Sequence, residues 1–162
     1  MVPKTVIACC HTLLEKGMTI SFAESVTTGK LIYDFSSVPN CGSIIRGSIV
    51  CYDRSVKERL LGISPEIIDQ YTAESPEVTQ LLVKGLQRLI PADVMIGVTG
   101  LASPVENESP DKPVGTIFVS GCIKGKSWET RLLFEGNPDE IITQTVDAIA
   151  VILLEEITRS HG

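Results

Sequence analysis

The segment Thr19-Ile20-Ser21-Phe22-Ala23-Glu24-Ser25-Val26-Thr27-Thr28-Gly29-Lys30 sets a serine between an alternating apolar run and a helix start. A serine at such a junction stands at the carboxyl end of a sheet, where open α/β sheets place their ligands. Amides at a helix start point outward with partial positive charge, and can hold a developing oxyanion or a phosphate. Ser25 is therefore either a nucleophile or the cap of the next helix, a position serine favours. A serine nucleophile needs a base. The histidines are His11, within the first predicted helix, and His161, beside the end of the sequence. A Ser-His-Asp arrangement fits them poorly, which leaves lysine. Lys57 falls in the first turns of the helix after the second predicted strand. Neighbouring crossovers can bring two strand-to-helix junctions together, and burial or a nearby cation can lower a lysine pKa toward neutrality. The alternative for Lys57 is a solvated position on an amphipathic helix, the usual place for lysine.

A third feature is the stretch Thr99-Gly100-Leu101-Ala102-Ser103-Pro104, which opens a long polar loop closed by Lys112-Pro113-Val114-Gly115-Thr116. Gly100 permits close approach of backbone to a ligand. Loops this long inside a compact domain are often functional. The alternative is a surface loop with ordinary turn chemistry.

These residues need a scaffold, and periodicity supplies one. Lys4 to Lys16 reads as a helix with Val6, Ile7, Cys10, Leu13 and Leu14 on one side, ended by Gly17. Met18 to Ala23 reads as a strand, followed by a helix starting just after Ser25. Ile44 to Tyr52 is a second strand, and Asp53 or Ser55 can cap the helix that carries Lys57. Ser64-Pro65 and Ser75-Pro76 each pair a cap with a first-turn proline and start two more helices. Asp93 to Thr99 suits a buried strand. Val114 to Ile123 and Trp128 to Phe134 form a hairpin around Lys124-Gly125-Lys126. A last helix runs from Pro138 to Ile157 with Asn137 as cap. Early alternation of strand and helix predicts parallel pairing with right-handed crossovers, and the late hairpin makes the sheet mixed. The expected fold is a single domain over residues 1–162. It is a three-layer α/β/α sandwich with a mixed, mostly parallel sheet, a C-terminal β-hairpin and a final helix.

Bulk properties narrow the function. The net charge is -6 and the sequence pI about 4.9, which argues against nucleic-acid binding. No apolar stretch reaches membrane-spanning length, and the N-terminus does not read as a signal peptide. No membrane partner and a cytoplasmic location are expected. The five cysteines are Cys9, Cys10, Cys41, Cys51 and Cys122. Their odd number and spacing suggest neither a disulfide framework nor a zinc site. Cys9 and Cys51 read as small core residues.

Taken together, the motifs resemble the CinA C-terminal domain family, also called the nicotinamide-nucleotide amidohydrolase family, over nearly the whole chain. That family shows Ala-Glu-Ser-Cys-Thr-Gly-Gly, and here Ala23-Glu24-Ser25-Val26-Thr27-Thr28-Gly29 stands. A glycine-led strand ending in tyrosine and then a lysine correspond to Gly47 through Tyr52 and Lys57. The family's Ser/Thr-Gly-Ile-Ala-Gly-Pro and Lys-Pro-Val-Gly-Thr correspond to Thr99 through Pro104 and to Lys112 through Thr116. The resemblance implies a stand-alone Ser/Lys amidohydrolase that converts nicotinamide mononucleotide to nicotinate mononucleotide and ammonia. It implies Ser25 as nucleophile, Lys57 as base and Tyr52 lining the site. It implies a small-molecule nucleotide substrate held by Glu24, Val26, Thr27, Thr28, Gly29, Thr99, Gly100 and Ala102, with oxyanion donors among the amides of Val26 to Gly29. No metal or organic cofactor is implied, and a homo-oligomer is expected.

The sequence departs from the family pattern at Val26, Thr28 and Ser103, and at Ala73-Glu74-Ser75, where the family has Val-Ser-Glu. Active relatives carry Gly-Asp-Arg near the C-terminus and another arginine four residues on. Here Gly136-Asn137-Pro138 and Ile142 occupy those places. Lys30 and Arg46 are the candidate replacement cations. The departures leave a second reading, a nucleotide-binding or regulatory module on the same fold.

Overall fold

A computed structural model describes residues 1–160, so His161 lies outside the described residues. The elements follow the expected order: α1 (Lys4–Lys16), β1 (Ile20–Glu24), α2 (Lys30–Ser36), a 3-10 turn (Cys41–Ser43), β2 (Ile45–Val50), α3 (Arg54–Arg59), α4 (Pro65–Tyr71), α5 (Pro76–Leu89), β3 (Val94–Gly100), β4 (Thr116–Ile123), β5 (Lys126–Leu133) and α6 (Pro138–Arg159).

Caps fix several of these boundaries. The side chains of Asp53, Ser64, Ser75 and Asn137 each accept a first-turn amide of the helix they precede. Such caps satisfy donors that have no intrahelical partner. In the β4–β5 hairpin, Lys124 (φ 46°) and Gly125 (φ 85°) are both left-handed, as a two-residue turn matched to strand twist requires.

The sheet order is β2-β1-β3-β4-β5. β1 pairs parallel with β2 and β3, while β3–β4 and β4–β5 are antiparallel. Four of the five strands therefore run the same way and only β4 opposes them. One face carries Ile20, Phe22, Ile96, Val98, Ile117 and Val119 against α1, α2 and α6. The other carries Ala23, Met95 and Cys122 against Leu61, Ile63, Ile68 and the α5 residues Val78, Leu82 and Leu86. This is the three-layer sandwich expected from the sequence. Gly97 in β3 lets α5 lie close, since a Cβ there would meet the Thr79 carbonyl oxygen at 2.9 Å.

Two local expectations change. The stripe of α1 is Val6, Cys9, Cys10 and Leu13, with Ile7 turned outward. Cys9 replaces Ile7 because the buried face follows the contact with α6 rather than the largest side chains. The helix after β1 begins at Lys30, not just after Ser25. Residues 26–29 form a turn instead, in which the Thr28 amide donates to the Ser25 carbonyl and the Lys30 amide to the Thr27 carbonyl.

Candidate functional site

The turn between β1 and α2 presents Ser25. β1 is the sheet's second strand, with all five residues buried, and its last residue, Glu24, anchors the turn. The fully buried Glu24 carboxylate accepts from Thr27 Oγ1 (2.9 Å), the Leu31 amide (2.8 Å), the Ile32 amide (3.3 Å) and Ser48 Oγ (2.7 Å). Two of those donors are amides in the first turn of α2, where a carboxylate is electrostatically favoured. Glu24 thus performs the capping that Ser25 would otherwise do, and Ser25 Oγ is released from it. The N-cap of α2 is Gly29, which makes no side-chain cap.

The turn needs two consecutive left-handed residues, Thr28 (φ 50°) and Gly29 (φ 98°). Glycine accepts that conformation freely. A β-branched residue does not, and such strain costs about 1–3 kcal/mol. The amides of Val26 and Thr27 have no acceptor among the described residues, whereas the Ser25 amide is spent on the Val98 carbonyl at 3.1 Å.

The base comes from the next junction. β2 ends at Val50, the Cys51 amide bonds the Glu24 carbonyl (2.7 Å), and Asp53 caps α3. One turn into α3, Lys57 points back into the protein with only 1 % of its surface exposed. Its Nζ lies 2.5 Å from the Cys51 carbonyl oxygen, 3.3 Å from that of Tyr52, and 3.0 Å from Ser25 Oγ. Burial pushes the Lys57 pKa below its ordinary 10.5, against smaller opposing effects of Cys51, Glu74 and Asp53. The three oxygen partners satisfy Nζ in either protonation state, since an ammonium donates to all three. A neutral amine has two hydrogens for the two carbonyls and one lone pair, which then faces the Ser25 hydroxyl. The Cys51 thiol beside it is pushed up to about 11, chiefly by desolvation, and stays protonated.

Ser25 opens onto a cleft of about 300 Å³. Val26 and Thr28 flank Ser25 there. Tyr52 and Glu74 stand on one side, Gly100 to Ser103 and Val105 come from the long loop, and Pro138 and Ile142 come from α6. Of the residues singled out from the sequence, Ser25, Val26, Thr28, Tyr52, Gly100 and Ala102 line this cleft. Lys57 sits behind Ser25. Glu24, Thr27, Gly29 and Thr99 do not line it. Glu24 and Thr27 hold the turn together, and the buried Thr99 hydroxyl pairs with Thr79 at 2.9 Å. The Tyr52 side chain is 67 % exposed, so the residue's contact with Lys57 is through its backbone carbonyl.

The two candidate replacement cations lie elsewhere. Lys30 pairs with Asp34 at 3.1 Å, and the exposed Arg46 belongs to the sheet-edge strand β2. Glu74 was not foreseen as a cleft residue. It stands just before the cap of α5, its carboxylate accepts from Asn107 Nδ2 (2.9 Å), and the only signal at it was the departure of Ala73-Glu74-Ser75 from the family pattern. A groove of about 380 Å³ between α5 and β5 carries Ser120, Ser127 and Lys84, but Lys84 is exposed and, among the described residues, makes no hydrogen bond to either serine.

Similar proteins share this arrangement of chain. A protein of Desulforudis audaxviator described as competence-damage inducible is 33 % identical over 147 residues, covering 91 % of this chain and 35 % of its own. A CinA-like protein of Petrotoga mobilis is 34 % identical over 129 residues, covering 80 % and 32 %. The chain thus spans about a third of the length of the curated relatives it matches. The crystal structure of competence damage-inducible protein A from Klebsiella pneumoniae has the same fold, with a TM-score of 0.89 at 22 % identity and 96 % of each chain covered. The structure of a CinA superfamily protein from Enterobacter cloacae matches with a TM-score of 0.82 at 28 % identity, covering 95 % of this chain and 91 % of that one. The family model for the CinA C-terminal domain matches residues 4–157, and the chain belongs to that family.

Proposed function

We propose that this chain is a Ser/Lys amidohydrolase acting on a small carboxamide of the nicotinamide type, with nicotinamide mononucleotide as the reference substrate that the family resemblance implies. The observation that carries the reading is the buried 3.0 Å contact between Ser25 Oγ and a lysine amine whose other partners are two carbonyls. A general base must lie within hydrogen-bond reach of the proton it takes, and this one does.

In the proposed mechanism neutral Lys57 takes the hydroxyl proton as Ser25 Oγ attacks the carboxamide carbon. The free amide of Val26, a residue that lines the cleft, holds the oxyanion, a type of contact worth about 3 kcal/mol. The tetrahedral intermediate collapses, the C–N bond breaks, and Lys57 returns its proton to the departing ammonia. Water then gives a proton to Lys57 and attacks the acyl-enzyme. Ser25 recovers its proton, and the carboxylic acid leaves. The chemistry needs no cofactor. Five unbridged, buried cysteines suit a reducing compartment such as the cytoplasm. A homo-oligomer is part of the proposal, supported by exposed Tyr33, Val50 and Tyr52 on and near the sheet-edge strand β2. A second reading, binding without turnover, is favoured by the apolar Pro138 and Ile142 in the cleft wall.

Ammonia release from nicotinamide mononucleotide and related carboxamides, measured for the wild type and for Ser25→Ala, tests the enzyme. The variant is expected to fold and to lose at least about a hundredfold in rate, as removal of a reacting group should. Wild-type rates retained by Ser25→Ala would refute the nucleophile. Ligand-induced thermal stabilisation with no ammonia from the wild type would select the second reading.

A further inference from the structure

The cleft is poorly equipped for a phosphate. Its lining contains one ionisable carboxylate, Glu74, and among the described residues no lysine or arginine lines it. On the loop side Lys112 stands beside a cleft residue, its Nζ bonding Thr72 Oγ1 (2.6 Å) and the Glu74 carbonyl oxygen (2.9 Å). Arg131 is engaged by the Asp111 carbonyl and stacks over Phe118. Lys57 is covered by the protein and faces Ser25.

One electropositive feature does border the cleft, the N-terminus of the 22-residue helix α6. Such ends commonly bind anions. Most of the first-turn donors of this one are spent within the chain, the Asp139 amide excepted. Pro138, at the first helical position, has no N–H to offer. The Glu140 amide donates to Asn137 Oδ1 at 3.0 Å, the Ile141 amide to the Asn137 carbonyl at 3.0 Å, and the Asn137 amide to Glu140 Oε2 at 2.8 Å. Asp139 and Glu140 place two carboxylates in the same turn. The side chains turned toward the cleft from α6 are the apolar Pro138 and Ile142, facing Val26, Leu101 and Val105.

We infer that the ligand of this cleft is a phosphate-free carboxamide with an apolar or cationic ring, of the class of N-substituted pyridinium nucleosides rather than nucleotides. This deepens and rests on the proposed amidohydrolase reading. The carboxamide faces Ser25, the ring lies against Ile142, Pro138 and Leu101, and the Glu74 carboxylate compensates the ring's positive charge. A terminal phosphate would meet Glu74 or the acidic first turn of α6 with no cation in the cleft lining to neutralise it, Lys112 being held by Thr72 and the Glu74 carbonyl.

The test compares equilibrium binding of nicotinamide riboside and nicotinamide mononucleotide to the Ser25→Ala protein by calorimetry, alongside ammonia release from each by the wild type. The riboside is expected to bind at least tenfold more tightly than the mononucleotide. Glu74→Gln should weaken the riboside severalfold and leave uncharged nicotinamide unaffected. Pro138→Arg combined with Ile142→Arg should reverse the preference toward the mononucleotide. Equal or tighter binding of the mononucleotide, or binding of neither, overturns the inference. Ammonia release judges the hydrolase reading separately: turnover with a mononucleotide preference would leave the dyad standing, and a riboside preference without turnover would leave the specificity standing.

Discussion

Replacing Lys57 by Met removes the amine while keeping a similar apolar stem, so its consequences can be followed atom by atom. The Cys51 carbonyl loses its 2.5 Å partner within a buried segment. An unsatisfied buried acceptor costs about 1–3 kcal/mol. The Tyr52 carbonyl belongs to an exposed residue, and Ser25 borders the open cleft. Water can replace the lysine at both, and they add little. Opposing the loss, the variant no longer desolvates an amine.

The balance depends on pH, and the sign is fixed by the lowered pKa of Lys57. Between that folded value and 10.5 the unfolded chain binds a proton that the folded chain does not, so wild-type stability rises with pH there. The contribution is complete above 10.5 and is lost as pH falls through the folded value. The variant lacks this contribution. The stability gap in favour of the wild type should therefore widen as pH rises toward 10.5, reaching about 1–3 kcal/mol from the carbonyl loss. Thermal melts at several pH values read it as roughly 2–4 °C per kcal/mol for a chain of this size. Ammonia release should fall at least about a hundredfold, the lower bound for removal of a general base. In the wild type, kcat should rise with pH through the lowered Lys57 pKa, because only the neutral amine accepts the serine proton. A gap that does not change with pH, together with a variant kcat within threefold of the wild type, would refute the neutral-base assignment.

Three further outcomes test the scaffold. Thr28→Gly should raise stability by about 1 kcal/mol in a denaturant titration, because it relieves a left-handed β-branched residue whose side chain is exposed. Asn137→Ala should cost about 1 kcal/mol by the same method, since it removes the capping box of α6. Gly97→Val should destabilise by about 1–3 kcal/mol, because its side chain meets the Thr79 carbonyl oxygen and Leu82 where α5 packs on β3.

Element order and sheet class were legible in the sequence because they rest on short-range signals. Alternating apolar residues, serine-proline and asparagine-proline starts, and glycines after last turns each act within a few residues. The start of α2 was not legible. Ser25 and Glu24 are both plausible near a helix start, and only the tertiary position of the Glu24 carboxylate, bonded to Ser48 of β2 as well as to α2, shows which one caps it. The buried face of α1 was likewise set by where α6 lies and not by the hydrophobicity of Ile7 alone.

The same division holds at the site. Residue types in the sequence determined that serine would need lysine rather than histidine as a partner, because side-chain chemistry belongs to each residue by itself. The tertiary structure decided what that chemistry can do. The parallel β1–β2 pair brings two junctions 32 residues apart into contact, which is what puts the Lys57 amine against Ser25 Oγ. Folding also removes that amine from water, and desolvation lowers its pKa. The character of the cleft, set by Glu74 before α5 and by Pro138 and Ile142 of α6, arises only when distant parts of the chain converge on one surface.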